Sequence, residues 1–326
     1  MGFLQQLAQR AESAGRRIIL AEGHDERVQD AAVRLQDHGH IEPILLTPDC
    51  TVGPPPGWKG PIRCPVDDPE LPRYADFYRQ IRPQEALDDR TARERVADPL
   101  YFAGLMVRAG DADGVVAGAD HATGDVVRAA YRCVGTSPGH SYVTGAFYMV
   151  VPSFRGTDEP EVLTFADSGV IPNPSPEQLV EIALQAAEMR SVVVGDVPHV
   201  AFLSFSTHGS ARSPAAEKMR KAFELLKDKR PDLAADGELQ ADAALIRQVG
   251  QRKAPSSPVA GQANVLIFPD LGAGNIAYKL VERLAGATAI GPILHGLALP
   301  YNDLSRGADP ASIEWVAYVT AVQAGS

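Results

Sequence analysis

The chain alternates short apolar runs with longer amphipathic stretches along most of its length. Runs such as "RIILA" and "DGVVAGA" are followed by helical patterns such as "DERVQDAAVRLQDHG" and "DVVRAAYRCVG", and the same order recurs as far as "ANVLIF" with "GNIAYKLVERLAG". Repeated strand-then-helix pairs are typical of α/β proteins with mostly parallel sheets. The pattern therefore predicts an α/β fold in three α/β/α layers.

The pattern changes between about residues 139 and 160. A strand-like run, "SYVTGAFYMVVPSF", leads there into the Gly- and Pro-rich segment "RGTDEPE". A chain of 326 residues is also long for one hydrophobic core. We therefore expect two domains, a boundary near residue 139 and a ligand site in the cleft between them.

The composition excludes several classes of protein. Apolar residues make up 45% of the chain and charged residues 22%, as in ordinary globular proteins. The formal net charge of −10, with both signs interspersed, argues against binding to nucleic acid or to an anionic membrane surface. No apolar run approaches the roughly 20 residues of a membrane span, and the amphipathic start lacks the core of a signal peptide. These features predict a cytoplasmic protein.

The cysteines show no metal-site spacing. Cys50, Cys64 and Cys133 are an odd number, and the histidines complete no cluster around them. We interpret all three as reduced thiols and expect no metal centre. The stretch from Cys50 to Cys64 is Pro-rich, which is typical of a surface connector.

Polar loops follow the predicted strands. "GADHATGD", "DSGVIPNP", "SFSTHGSA" and "PDLGAGN" each come directly after an apolar run. Such loops turn backbone N–H groups and hydroxyls toward a bound anion, although the same residues also serve as ordinary turn and helix-cap residues. Neither GxxxxGK[ST] nor GxGxxG is present, so nucleotide-triphosphate and dinucleotide cradles are not supported.

One turn near residue 305 combines a hydroxyl and a guanidinium with a helix start. Asp309 followed by Pro310 is a strong signal for a helix N-cap, and the predicted helix "PASIEWVAYVTAVQ" follows. Ser305 and Arg306 lie just before it, where an oxyanion such as phosphate would be attracted. The alternative is a surface ion pair of Arg306 with Asp303 or Asp309.

The same turn belongs to a set of segments that resembles a known family. They run in order over essentially the whole chain, from "EGHDERV" to "TAVQA": "DGVVAGADHATGDVVR", "FADSGV", "LSFSTHGSA", "DGELQADAAL", "SPVAGQANVLIFPDLGAGNIAYKLVERL", "GPILHGL" and "PYNDLSRGADPASIEW". Together they resemble phosphate acetyltransferase (phosphotransacetylase), of the phosphate acetyl/butyryl transferase family.

The resemblance implies an activity and an organisation. The family transfers an acetyl group reversibly between CoA and inorganic phosphate, giving acetyl phosphate and free CoA, by direct thiolate attack in a ternary complex. Carried over, domain one would be residues 1–139 with 293–326, and domain two residues 140–292, in a homodimer. CoA or acetyl-CoA and phosphate or acetyl phosphate would be substrates, with no tightly bound cofactor and no catalytic metal.

The resemblance also assigns roles to residues. Ser305 would hydrogen-bond the CoA thiol or the reacting oxygen, Arg306 would hold the phosphoryl group, and Arg128 would help to bind the anion. The further substrate-binding candidates are Thr123, Ser206, Thr207, Asn302 and Arg82.

Two positions depart from the family pattern. Ser312 stands where the family usually has an aspartate proposed to take the thiol proton, and Ile81 stands one residue before Arg82 at the column of a family arginine. A thiol with a pKa of about 8.5 is already several per cent ionised near pH 7.5, so a missing base slows the reaction without abolishing it. Asp309 is a substitute candidate, but an N-cap carboxylate already accepts backbone N–H groups.

Other functions remain open at this point. The acyl group would be acetyl, with butyryl or propionyl as alternatives, because one methylene changes binding by only about 1–3 kcal/mol. A non-catalytic protein that binds CoA or acetyl phosphate is a second hypothesis, supported by Ser312 and Ile81. A metal-dependent dehydrogenase on a related scaffold lacks the aspartate ligand set.

Overall fold

The structure is a computed structural model that describes residues 2–156 and 159–326. Residues 157 and 158, part of the "RGTDEPE" segment in which we sought the boundary, lie outside the described residues, as does residue 1. The chain divides into two compact units, one joining residues 3–143 to 297–326 and one of residues 144–296. The domain ends expected at residues 139 and 292 thus fall a few residues before those of the structure.

The first unit is built on a parallel sheet. All its described strand pairs are parallel, in the order β11-β4-β1-β2-β3. Short strands of continuously buried residues, such as "GVVA", suit a parallel sheet that is covered on both faces. The strands are β1 (Arg17–Leu20), β2 (Glu42–Leu46), β3 (Ile62–Arg63), β4 (Gly114–Ala117) and β11 (Tyr301–Asp303).

Helices cover this sheet in two groups. The first-unit helices are α1 (Phe3–Ala14), α2 (Glu26–His38), α3 (Leu71–Ile81), α4 (Asp89–Val96), α5 (Pro99–Ala109), α6 (Thr123–Cys133) and α12 (Pro310–Ala324). In one group, α12 packs on β4 and β1 and also contacts α1 and α2. In the other group, α5 and α6 pack on each other, and they contact β4 and β11 respectively. α12 is apolar nearly all round because neighbours enclose it on several sides.

The second unit has a larger, mostly parallel sheet in the order β10-β5-β6-β9-β7-β8. β6, β9, β7 and β8 pair in parallel, whereas β5 is antiparallel to both β6 and β10. The predicted α/β class with mostly parallel sheets is confirmed. The strands are β5 (Thr144–Val151), β6 (Glu161–Ala166), β7 (Val200–Leu203), β8 (Ala235–Leu239), β9 (Val265–Ile267) and β10 (Thr288–His295).

Successive residues of these strands enter different hydrophobic clusters. Val200 and Phe202 pack in a cluster with residues of α7 and α8, whereas Ala201 and Leu203 pack in another with residues of α11. This alternation follows from the two-residue period of a strand and places helices on both faces of the sheet. The helices are α7 (Pro176–Val193), α8 (Pro214–Lys229), α9 (Ala241–Leu245), α10 (Arg247–Lys253) and α11 (Leu271–Ala285).

The interpretation of all cysteines as reduced thiols is wrong. Cys50 and Cys64 form a disulfide, while Cys133 is a buried free thiol. Cys50 lies in the connector after β2, and Cys64 directly follows β3, which pairs with β2. Strand pairing thereby brings the ends of the Pro-rich connector together, with a Cα–Cα distance of 5.4 Å. Spacing along the sequence did not reveal this proximity.

Among the described residues, no helix has both the length and the apolar character required to cross a membrane.

Candidate functional site

The first sheet has a change of winding direction between β1 and β4. From β1 the chain proceeds to β2 and β3 on one side, and it then returns to β4 on the other side of β1. In open α/β sheets, the crevice outside the carboxyl ends of the strands at such a point is the usual ligand site. The loops after β1, β4 and β11 therefore define the region of interest in this unit.

The Ser-Arg turn, residues 303–307, follows β11 at this edge. Ser305 is half-buried and Arg306 is exposed. No ion pair of Arg306 with Asp303 or Asp309 occurs in the described part of the chain. The guanidinium of Arg306 is therefore available to an anion from solution.

Arg27, near the start of α2, links this turn to the two neighbouring loops. Its Nη1 donates to the carbonyl oxygens of Arg306 at 2.7 Å and Ala308 at 3.2 Å. Its Nη2 donates to the carbonyl oxygen of Ala119, after β4, at 2.8 Å and to the Asp25 carboxylate, after β1, at 2.7 Å. One guanidinium thus fixes the backbone of the Ser-Arg turn relative to the β1 and β4 loops.

Glu22 fixes the β4 loop from the other direction. Its buried carboxylate accepts the backbone N–H groups of residues 119–121 at 2.7–3.0 Å and the Nδ1 of His121 at 2.7 Å. Burial alone would raise the pKa of Glu22, but these hydrogen bonds, led by that of His121, keep it below its usual value. The same contact raises the pKa of His121. The charged pair holds the loop that precedes α6.

Asp303, the last residue of β11, is a buried carboxyl in the same region. Its Oδ2 accepts a 2.7 Å hydrogen bond from the hydroxyl of Thr123, the first residue of α6. A Cβ at Gly118 would come within 2.0 Å of the Asp303 Oδ1 and 2.8 Å of the Leu304 nitrogen. Gly118 also has φ of 101°, so glycine is required both by its conformation and by this close approach.

The start of α12 agrees with the sequence. Asp309 is its N-cap and accepts the N–H of Ser312 at 2.8 Å, which lowers the pKa of Asp309. A carboxylate with a lowered pKa is a poor proton acceptor at neutral pH. Its negative charge also offsets the positive helix end, so an anion here would depend mainly on Arg306 rather than on the helix dipole.

Two predicted arginines lie in or against α6. Arg128, in the middle of α6, is exposed and pairs with Asp125 at 2.5 Å. Arg82 donates from Nε to the carbonyl oxygen of Arg132 at 2.8 Å, and it also donates to that of Tyr131. These carbonyls belong to the last turn of α6, eight and nine residues after Thr123, which corresponds to about 12–14 Å along the helix. Arg82 is therefore bonded at the opposite end of α6 from Thr123.

Asn302 lies at the correct edge but is fully buried. Its amide nitrogen donates to Thr320 Oγ1 at 2.8 Å and Gln323 Oε1 at 2.6 Å, both on α12. These contacts anchor β11 to α12. In this structure they give Asn302 a structural position beneath the turn rather than an exposed one.

Ser206 and Thr207 belong to the second unit, in the loop after β7. The Ser206 hydroxyl donates to Glu238 Oε1 at 2.7 Å and accepts the N–H of Ala211 at 3.0 Å. The Thr207 hydroxyl donates to Gln240 Oε1 at 3.3 Å and accepts the backbone N–H of Gln240 at 3.0 Å. Both residues are buried, so their hydroxyls are used within the loop.

Sequence reasoning did not propose Glu22, Arg27 or Asp303 as candidate site residues, although their contacts join the loops around the Ser-Arg turn. Glu22 and Asp303 could have been found from the sequence, because each is a polar residue at or just after the end of a buried parallel strand. Arg27 lies in a helix and gave no such signal. Within the described residues, no group of three or more His, Cys, Asp or Glu side chains is arranged to hold a metal ion.

Comparison with known proteins gives a consistent result. Residues 2–321 match the family model described as phosphate acetyl/butaryl transferase. The chain is 44% identical to phosphate acetyltransferase of Acetivibrio thermocellus, over 99% of this chain and 98% of that protein, and 44% identical to phosphate acetyltransferase of Thermoanaerobacterium thermosaccharolyticum, over 99% and 100%. The structure resembles a phosphotransacetylase from Streptococcus pyogenes with a TM-score of 0.87 and 38% identity, over 99% and 98% of the two chains.

These findings, with polar loops at the carboxyl edge of a doubly wound sheet, define the protein as an α/β enzyme of the acyltransferase class. The chain belongs to the phosphate acetyl/butaryl transferase family. The family resemblance found in the sequence is therefore confirmed.

Proposed function

We propose that the protein catalyses reversible transfer of an acetyl group between CoA and inorganic phosphate. The observation that carries the proposal is the Ser-Arg turn, in which an exposed guanidinium without an ion pair among the described residues lies next to the half-buried Ser305. An acidic protein has no general attraction for phosphate, so binding requires a local positive group of this kind. The matched relatives carry this activity in their names.

The reaction follows from these groups. The CoA thiolate attacks the carbonyl carbon of acetyl phosphate and forms the C–S bond. The bond between the carbonyl carbon and the oxygen that bridges to phosphorus then breaks, and phosphate leaves with the electron pair. Arg306 stabilises the negative charge that collects on the phosphoryl oxygens, and the Ser305 hydroxyl hydrogen-bonds the sulfur or the carbonyl oxygen. Arg128 joins the anion site by exchanging its exposed pair with Asp125 for the substrate, a pair that contributes under about 1 kcal/mol.

A second copy of the chain would be the protein partner. On α11, Ile276, Leu280 and Leu284 repeat every fourth residue and are 60%, 52% and 81% exposed. Residues at this spacing share one helix face, and an exposed apolar stripe is typical of an association surface. The stripe supports a homodimer formed through the second unit. Light scattering of the wild-type protein and of L280E would test it, and a wild-type monomer at micromolar concentration would contradict it.

Loss of free thiol tests the activity directly. Purified protein is mixed with acetyl phosphate and CoA, thiol is followed with a thiol-reactive dye, and acetyl-CoA is identified by mass. Propionyl phosphate and butyryl phosphate, run in parallel, rank the acyl groups. Turnover well above the uncatalysed rate is expected. Binding of CoA without turnover would contradict the proposal and favour the non-catalytic hypothesis.

A further inference from the structure

Asp303 is a buried carboxyl group at the start of the Ser-Arg turn with no assigned role in the proposed reaction. It is fully buried, and its Oδ1 has no hydrogen-bond partner among the described residues. A buried carboxylate oxygen without a partner is energetically costly, so natural proteins seldom keep one without a reason. Asp303 lies two residues before Ser305, at the edge where the ligand would bind.

Thr123 connects this carboxyl to the outside. Its side chain is half-buried, and its hydroxyl donates to Asp303 Oδ2 at 2.7 Å. A hydroxyl that donates to a carboxylate still has lone pairs with which to accept a hydrogen bond from a ligand. Thr123 is therefore placed to receive a proton and to pass its own proton inward.

The groups around Asp303 set its charge. Burial raises the pKa of Asp303 to about 7, the Thr123 hydroxyl and the Leu304 N–H oppose this increase, and the smaller effects of Glu22 and Arg306 raise and lower the pKa respectively. An acceptor is most effective when its pKa lies near the working pH. Asp309, in contrast, has a lowered pKa, and position 312 carries serine.

We propose that Thr123 and Asp303 form a relay that accepts the proton of the CoA thiol. The S–H bond breaks as the Thr123 oxygen takes that proton. The Thr123 O–H bond breaks at the same time, and its proton binds Asp303 Oδ2. The thiolate keeps the electron pair with which it attacks acetyl phosphate, and the reverse reaction returns the proton by the same route. Asp303 acts here through Thr123, as a positioning residue and proton store. This inference rests on the proposed function.

The pH dependence of kcat/KM for CoA tests the relay. At pH 7 a thiol with a pKa of about 8.5 is about 3% ionised, so D303N should lose about ten- to thirtyfold. At pH 8.5 about half of the thiol is ionised without help, and the loss should shrink to a few-fold. A purely structural role would lower activity by the same factor at every pH. A constant ratio of wild type to D303N from pH 6.5 to 8.5 would overturn the relay.

Variants of Thr123 keep the test independent of how well D303N folds. T123V removes the hydroxyl but leaves Asp303 in place, and it should show the same pH-dependent loss. T123S keeps a hydroxyl and should stay within about threefold of wild type at all pH values, since Ser and Thr hydroxyls have the same bonding capacity. T123V with wild-type kinetics would overturn the relay. Wild-type protein without turnover would overturn the proposed function as well, so the two failures are distinguishable.

Discussion

The Ser-Arg turn of the first unit and the loop of residues 204–211 in the second unit are both polar loops that follow a strand, but their side chains are organised differently. Both follow parallel strands and both contain serine. In the second-unit loop, Ser206 and Thr207 bond to Glu238 and Gln240 inside the protein. In the Ser-Arg turn, the backbone is fixed by Arg27 while the Arg306 side chain remains exposed.

The comparison separates two ways in which a polar loop is used. Where side-chain hydroxyls bond to buried carboxylates, they stabilise the unit and are occupied. Where other residues fix the backbone, the side chains stay available to a ligand. Residue type in a loop therefore predicts polarity, whereas its partners decide whether that polarity can serve catalysis.

The largest expected effect is at Arg306. R306A should lower kcat/KM by about 30- to 1,000-fold, equivalent to about 2–4 kcal/mol of transition-state stabilisation, because a guanidinium that contacts developing charge is lost. Thermal unfolding should be unchanged because the side chain is exposed. R306K, which keeps the charge without the planar fork, should be intermediate. A loss of less than twofold in R306A would remove Arg306 from the site.

Substitution of Glu238 should have the opposite outcome, because it should lower the free energy of unfolding rather than act on catalysis directly. Burial would raise its pKa, but hydrogen bonds from Arg220, the Gly209 N–H and Ser206 lower the pKa of Glu238 to about 2. A lowered folded-state pKa gives stability that is present above the unfolded value of 4.5 and is lost as the pH falls through the window toward 2. E238Q should cost about 1–3 kcal/mol at pH 7, since its partners lose a charged acceptor.

Acid unfolding followed by circular dichroism checks this assignment. The wild-type protein should lose stability between pH 4.5 and 2 more steeply than E238Q does, because the variant has no carboxylate to protonate at this position. Parallel acid-unfolding curves for the two proteins would show that Glu238 does not carry this stability.

The matched serines give the most direct comparison. S305A should lower kcat/KM by about five- to tenfold, the value of about one hydrogen bond, and leave thermal stability unchanged. S206A should lower stability by about 1–2 kcal/mol and keep kcat/KM within about twofold, because its hydroxyl serves Glu238 and Ala211. Kinetics and thermal unfolding of both variants test this difference. Equal kinetic losses would mean that both loops contact the substrates.

The smallest expected effect is at position 312. S312D restores a carboxylate where the family usually has one, and it should raise the CoA-dependent rate near pH 6.5 by less than about tenfold. This gain in rate should disappear as the pH rises toward the thiol pKa of about 8.5, because the thiol then ionises without a base. A pH-rate profile identical to that of the wild type would mean that a carboxylate there acts only on the helix start, where Asp is favoured by the dipole.

Much of the fold follows from the sequence. Periodicity identified the strand-helix pairs, and the Asp309-Pro310 signal predicted the start of α12, which begins at Pro310. These features depend on neighbouring residues, so local patterns reveal them. The second domain was expected a few residues before the unit that begins at residue 144, since a change in composition marks a boundary only approximately.

The features that the sequence did not reveal depend on contacts between distant residues. The Cys50–Cys64 disulfide results from the pairing of β2 with β3, and this pairing cannot be read from the local sequence. The burial of Asn302 results from the packing of α12 against β11. Arg27 became important only when three loops met at its guanidinium. The Ser-Arg turn could be proposed from the sequence because its residues lie together in the chain, and its role stays a prediction.

The position of β11 affects how the protein is made. β11 pairs with β4, but all of residues 144–296 are synthesised between them. At about 5–20 residues per second, one side of β4 stays without a neighbour for about ten to forty seconds on the ribosome. An open strand edge is a site for wrong pairing. The nascent chain therefore passes through an aggregation-prone interval, and a chaperone that shields β4 would have its effect during that interval.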